Sequence, residues 1–233
     1  MQQKERLAGL RRIKVLAELA EAPLADLART CSWHDYEAGE QILSYQDPSP
    51  RVFFLAAGKV RVIVYSAEGR AVVFTDLVPG TIFGEIGAID RAPRSAGVEA
   101  LEQTSVASLT ADQFETVMLR QPTVALATLR HVTAEVRRLS ERVVEFSTLM
   151  VQNRIHAELL RLAASAGAAE GQVLLSPTPS LSDIADRIST HREAVSRELS
   201  RLGSTGLLQR EGGGLRITDV ARLERLVREA KGE

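Results

Sequence analysis

Residues 122–150 read PTVALATLRHVTAEVRRLSERVVEFSTLM, and the rest of the chain is laid out on either side of this stretch. Leu129, Val132, Val136, Leu139, Val143, Phe146 and Met150 recur in it at alternating spacings of three and four. That is the a/d seam of a heptad, narrower than the stripe a helix usually buries against its own domain. Pro122 suits a first turn, where its missing N–H would be an orphan in any case, and no Gly or Pro follows it. At 1.5 Å rise per residue the helix is roughly 40 Å long, about the span of a small domain. The spacing predicts a helix that pairs with its own copy in a second chain; the alternative is a long helix packed on its own domain.

Upstream, residues 5–30 carry an amphipathic pattern through Leu7, Leu10, Ile13, Leu16, Leu19 and Ala20, with Pro23 restarting a short second helix. From Trp33 to Leu109 the pattern changes to short apolar strands divided by Gly39, Gly58-Lys59, a loop over 66–70 and Pro79-Gly80. About seven or eight strands of this kind predict a small antiparallel barrel or jelly roll rather than βαβ units. Thr110 and Gln113 form a capping box that opens a helix ending before Pro122.

Downstream, a helix is expected over 155–164, and residues 165–179, rich in Ala, Gly, Ser and Pro, read as a linker. Residues 180–202 then read as helix, tight turn, helix. Ser180 caps the first helix, which buries Ile184, Ala185 and Ile188. Thr190 and Glu193 form a second capping box, opening a helix with Val195, Leu199 and Leu202 inward. Its outer face presents Arg192, Glu193, Ser196 and Arg197 and, at a turn's distance, Ser200 and Arg201. Residues 207–218, with Gly212-Gly213-Gly214 at the bend, read as a β-hairpin wing that carries Arg210 and Arg216. The whole predicts an α+β chain: a β-roll, a long helix and a winged helix–turn–helix.

Composition narrows the function classes. With 233 residues, 45% hydrophobic and 25% charged, the chain suits one or two ordinary globular domains. No apolar run is long enough to span a bilayer and no signal-peptide core is visible, so a cytoplasmic protein with no membrane partner is expected. A single cysteine, Cys31, excludes an iron–sulfur cluster or a cysteine-rich metal site and reads as a small buried apolar residue. His34 and His131 are the only histidines in the barrel or long helix, and both read as lone surface residues, so haem is not expected either. Enzyme signatures are absent. The net charge of −1 argues against indiscriminate coating of nucleic acid, yet residues 187–216 hold six Arg against three Glu.

The most specific segment of the first half runs from Thr81 to Val98: TIFGEIGAIDRAPRSAGV. Gly84 permits close backbone approach, and Glu85 and Ile86 open a helical turn whose amides point at an anion. Arg94 can fork onto phosphate oxygens, and Ser95 adds a hydroxyl and an amide. Glu85 is wrong for phosphate but right for a sugar hydroxyl. A site with both signs suggests a ribose phosphate.

This segment resembles the phosphate-binding cassette of cyclic-nucleotide-binding domains. With the long helix and the C-terminal module, the whole chain resembles the bacterial cyclic-AMP receptor protein and fumarate–nitrate regulator (CRP/FNR) family of transcription factors. The resemblance implies that Glu85 accepts the ribose 2′-OH while Gly84, Arg94 and Ser95 hold the cyclic phosphate. It also implies two adjacent hydroxyl residues on the long helix that meet the base, one from each subunit. Those positions here hold Leu139 and Ser140, so one hydroxyl is missing, and Thr133 occupies the equivalent place one heptad earlier. On the recognition helix the family's Arg-Glu-x-x-x-Arg stands intact as Arg192, Glu193 and Arg197.

The expected domains are therefore a cyclic-nucleotide-binding sensor over 1–121, a dimerisation helix and hinge over 122–152, and a DNA-binding domain over 153–233. The expected function is a homodimeric transcription regulator gated by a cyclic nucleotide, with cyclic AMP favoured. Its implied partners are palindromic DNA with TGTGA-like half-sites, a second copy of itself and RNA polymerase. Two alternatives stay open: a ligand-independent regulator with a vacant barrel, and a cyclic-nucleotide module that acts through protein contacts.

Overall fold

The computed structural model describes residues 3–168 and 171–232. These fall into two compact units; the division lies inside the long helix between Arg137 and Arg138, and Ser66–Val72 groups with the second unit.

The first unit opens with α1 (Gln3–Arg11), a 3-10 turn (Lys14–Leu16) and α2 (Glu21–Thr30), with Pro23 in the first turn of α2. Eight strands follow: β1 (Ser32–Tyr36), β2 (Gln41–Leu43), β3 (Arg51–Ala57), β4 (Val60–Tyr65), β5 (Ala71–Leu77), β6 (Ile82–Phe83), β7 (Gly97–Ala100) and β8 (Thr104–Thr110). They form two four-stranded sheets, ordered β1-β8-β3-β6 and β2-β7-β4-β5, which is the expected β-roll. A short helix, α3 (Glu85–Asp90), lies between β6 and β7.

Strand β3 explains why the core divides in two. Successive side chains on a strand point to opposite faces. Phe53 and Leu55 join Val60, Phe83, Val98 and Val106, drawn from both sheets, in the interior of the roll. Val52 and Phe54 join Leu10, Leu27, Phe114 and Val124, drawn from the helices, on the outer face. A strand covered on both sides reads as a continuous apolar run, as this one does. At the β3–β4 turn Gly58 has φ +83°, and a Cβ there would meet the Gln103 carbonyl at 2.4 Å, so only glycine fits. Cys31 is buried, and that burial pushes its thiol up to about 12, as suits an inert packing residue.

Helix α4 (Ala111–Arg120) starts on the predicted capping box. Gln113 N–H donates to Thr110 Oγ1 at 3.2 Å, and Thr110 N–H donates to Gln113 Oε1 at 2.9 Å. Helix α5 runs from Pro122 to Thr148, two residues short of the predicted end. Leu149 turns inward and is buried, and Met150 takes an extended conformation (φ −62°, ψ 157°) as N-cap of the next helix. The break between the two helices thus coincides with the burial of Leu149.

The second unit contains the end of α5, then α6 (Val151–Ser165), β9 (Val173–Leu175), α7 (Leu181–Arg187), α8 (Arg192–Ser204), β10 (Leu208–Glu211), β11 (Gly214–Ile217) and α9 (Val220–Lys231). The reading of 165–179 as pure linker is corrected: Val173–Leu175 pairs antiparallel with β11, giving a three-stranded sheet ordered β10-β11-β9. Three apolar residues among Gly, Ser and Pro are too short a run to show a period. Ile155, Leu159, Ile184, Val195, Ile217 and Leu223 pack one core from helices and sheet alike. Among the described residues, no helix is long and apolar enough to cross a membrane.

Candidate functional site

Gly84 has φ +73°, and a Cβ on it would lie 2.8 Å from Arg94 Nη1 and 2.9 Å from the Arg51 carbonyl. This glycine lets the cassette fold onto its own arginine. Arg94 is 2% exposed; its Nη1 donates to the Gly84 carbonyl and its Nη2 to the Arg51 carbonyl, both at 2.8 Å. Phe53 lies under the guanidinium, 5.9 Å from its carbon to the ring centre. The backbone of Arg94 pairs with the segment before β3, its N–H donating to the Asp47 carbonyl at 3.0 Å. Burial holds the guanidinium below its ordinary pKa against the opposing pull of Asp47 and Glu85. Its Nε is buried without a hydrogen-bond partner. A buried donor without a partner costs free energy, so a ligand that offers an acceptor to this nitrogen would be favoured.

Glu85 is 6% exposed, while Ser95 is exposed and Ile86 turns its side chain outward. A buried carboxylate and a buried guanidinium on one cassette can take a ligand that offers both a hydroxyl and an anion. Thr133 is exposed, and its hydroxyl donates to the Leu129 carbonyl at 2.8 Å, the back-bonding typical of helix hydroxyls. Ser140 is exposed on the same helix.

His131 is not the lone surface histidine the sequence suggested. It is partly buried on α5, with Nε2 3.7 Å from Glu85 Oε1. Periodicity gave no signal for this pairing, because His131 lies off the seam and its partner is 46 residues away in sequence.

The a/d residues line one exposed stripe of α5. Leu129 is 62% exposed, Val136 57% and Val143 64%; Leu139 and Phe146 are also open, and Val132 is half-buried. Large apolar side chains left open along one helix mark a surface that binds something. On its other side the end of α5 is tied into the second unit by charge. Glu145 and Glu158, both buried, are bridged by Arg161 at 2.9 Å to each. Arg142 reaches Glu158 at 3.3 Å and donates to the Arg187 carbonyl at the end of α7; Lys231 of α9 reaches Glu145 at 3.3 Å. The i,i+3 spacings of Arg142–Glu145 and Glu158–Arg161 are visible in the sequence, but their convergence is not.

In the helix–turn–helix, Ser180 Oγ accepts from Asp183 N–H at 2.9 Å, the predicted cap of α7. The capping box predicted at Thr190–Glu193 does not form. Helix α8 starts at Arg192, and its N-cap His191 makes no side-chain cap bond. Thr190 N–H instead closes the turn onto the Ala185 carbonyl at 3.0 Å, with Ser189 in the left-handed region (φ +51°). Glu193 is therefore not held in a cap and stands exposed with Arg192 and Arg197, while Ser196 is half-buried beside them. Val195 and Leu202 face the core. On the wing, Arg216 donates to Glu211 through Nε at 2.5 Å and Nη2 at 2.7 Å, and Arg210 is exposed.

Residues 33–121 match the model of the cyclic nucleotide-binding domain, and residues 153–226 match that of the Crp-like helix-turn-helix domain. The chain is similar to the CRP-like cAMP-activated global transcriptional regulator of Mycobacterium tuberculosis, at 24% identity over 94% of this chain and 98% of that one. It is also similar to the cyclic AMP receptor protein of Thermus thermophilus, at 29% identity over 82% of this chain and 86% of that one. Among solved structures it superposes on FixK2 from Bradyrhizobium japonicum with a TM-score of 0.71 and 25% identity, covering 84% of this chain and 96% of that chain. A β-roll carrying the phosphate cassette and a winged helix–turn–helix, each matched by its own model in this order along one chain, make this protein a member of the CRP/FNR family of DNA-binding transcription regulators.

Proposed function

We propose that the chain acts as a homodimer whose DNA binding is gated by a cyclic nucleotide, with cyclic AMP favoured. The observation that carries this reading is Arg94, buried to 2% exposure with Nε unpartnered, on the same cassette as the buried carboxylate of Glu85. A cyclic phosphate supplies the missing acceptor and a ribose hydroxyl suits the carboxylate. Gly84, Ile86 and Ser95 supply backbone approach, amides and a hydroxyl around the same group. Ser140 and Thr133 are the hydroxyls proposed for the base. The relatives' names support the choice of adenine, since two of them are called cyclic-AMP-responsive proteins.

The exposed stripe from Leu129 to Phe146 supports a symmetric helix pair, which places two recognition helices one DNA turn apart. On each, Arg192, Glu193 and Arg197 read base edges, with Ser196 and Thr190 close to the backbone and Arg216 on phosphate. Ligand acts by population shift: it binds the DNA-competent arrangement of the dimer more tightly than the other. In this reading the operator is a palindrome of TGTGA-like half-sites, RNA polymerase is the downstream partner, and residues 1–121, 122–152 and 153–233 divide the sensing, pairing and reading. Calorimetry with cyclic AMP and cyclic GMP, followed by operator binding with each and with neither, tests it. Operator affinity that rises only with a bound nucleotide supports the reading; operator binding that no nucleotide alters leaves a ligand-independent regulator.

A further inference from the structure

The cyclic-nucleotide reading gives the pairing of His131 with Glu85 no role. Glu85 sits at the start of α3 and His131 on α5, nine residues into that helix, and the two meet at 3.7 Å between Oε1 and Nε2. Glu85 is nearly buried, so its charge cannot be screened by water and needs a partner. We propose that His131 is a positioning residue of the sugar subsite: its imidazolium holds Glu85 through Oε1, leaves the second carboxylate oxygen to a ribose hydroxyl, and links ligand affinity to a proton. The inference rests on the cyclic-nucleotide reading and adds to it a residue on α5 that couples the pocket to the long helix.

The charges around the ring agree. Among the described residues, three charged groups act on His131: Glu85 from α3, Glu135 one turn along α5, and Lys14 from the 3-10 turn. The neighbouring Glu85 carboxylate is the largest influence and raises the imidazole above its ordinary value; burial opposes it, Glu135 adds to it and Lys14 subtracts. A bound cyclic nucleotide brings one more negative charge and requires Glu85 ionised. Both favour the protonated ring in the complex over the ligand-free protein. Protonation and ligand therefore help each other, and affinity rises as pH falls through the His131 titration. A ring that the sugar displaced from Glu85 would give the opposite slope.

The experiment uses the full chain and two readouts. Titration of the His131 ring by NMR in the ligand-free protein should give a midpoint above the ordinary histidine value, and Glu85→Gln should bring it down. Calorimetry with cyclic AMP should show affinity several-fold tighter at about pH 6 than at about pH 8 in the wild type. His131→Gln, which keeps a donor to Glu85 but cannot titrate there, should bind with no such slope. An unshifted His131 midpoint, the same slope in wild type and His131→Gln, or affinity that rises with pH overturns the proposal. A chain that binds no cyclic nucleotide at any pH, yet shows the shifted midpoint, overturns the functional reading and the sugar role with it while leaving the ion pair in place.

Discussion

His156 Nε2 lies 2.6 Å from Glu198 Oε1, and this buried contact joins α6 to the recognition helix α8. Arg201 donates to the same carboxylate, through Nη2 at 2.6 Å and Nε at 2.9 Å, from one turn farther along α8. The recognition helix is thereby pinned against the helix that follows the α5 break. The proposed presentation of Arg192 and Arg197 on its outward face requires its inward face to be held, and this contact holds it.

Glu198 should therefore be a stability determinant with a defined pH sense. Burial pushes its carboxyl up, but the hydrogen bonds from Arg201 and His156 outweigh that and hold it below the usual carboxylate range. A depressed folded value means its contribution is complete above the unfolded pKa, about 4.5, and is lost as pH falls through the folded one. Glu198→Gln should cost about 2 kcal/mol at neutral pH by urea unfolding, and the gap from wild type should narrow below about pH 4. A gap that widens on acidification contradicts the assignment.

Arg94 has a structural duty that the sequence did not reveal. Its truncation leaves the Gly84 and Arg51 carbonyls without their donor, so Arg94→Ala loosens the cassette as well as removing the proposed phosphate partner. Arg94→Lys is the cleaner probe, since it keeps the charge but cannot bridge two carbonyls and a phosphate. It should lose about 2 kcal/mol or more of cyclic-nucleotide affinity in calorimetry, with a smaller fall in Tm than Arg94→Ala. Equal nucleotide affinity in Arg94→Lys and wild type would assign the arginine to scaffolding alone.

Val143→Glu places a charge within the exposed seam, where a single chain has little to lose and a paired helix has much. Light scattering should show a monomer with an unchanged circular-dichroism spectrum, and operator binding should vanish. A normal dimer would move the interface off this stripe.

Positioning and reading should separate on the DNA side. Arg197→Ala should cost ~1–3 kcal/mol on the proper half-site and flatten discrimination at one guanine. Arg216→Ala should weaken specific and random DNA alike and lower the salt slope by roughly one. Because Glu211 holds Arg216 in a bidentate pair, Glu211→Gln should tighten random DNA binding as the arginine is released. If Arg197→Ala discriminates among half-site variants as well as wild type does, the base-reading assignment fails.

Much of this molecule is legible in its sequence because the signals are local. The a/d spacing from Leu129 to Phe146, the capping box of Thr110 and Gln113, the cap at Ser180 and the Gly84-to-Ser95 cassette each need only neighbouring residues to be recognised. Helical and strand periods follow from backbone geometry, so they survive in any tertiary context. Strand β9 and the misplaced box at Thr190 mark the limit of that rule. In one case three apolar residues became a strand because β11 offered an edge; in the other a turn bond to Ala185 moved the helix start by one residue. The pairings of His131 with Glu85, His156 with Glu198 and Arg161 with Glu145 were decided by the tertiary structure alone. Each joins side chains from different helices, and nothing in either chain segment records the distance to the other. In each, one carboxylate is buried, and which cation packing brings to it is a property of the folded chain.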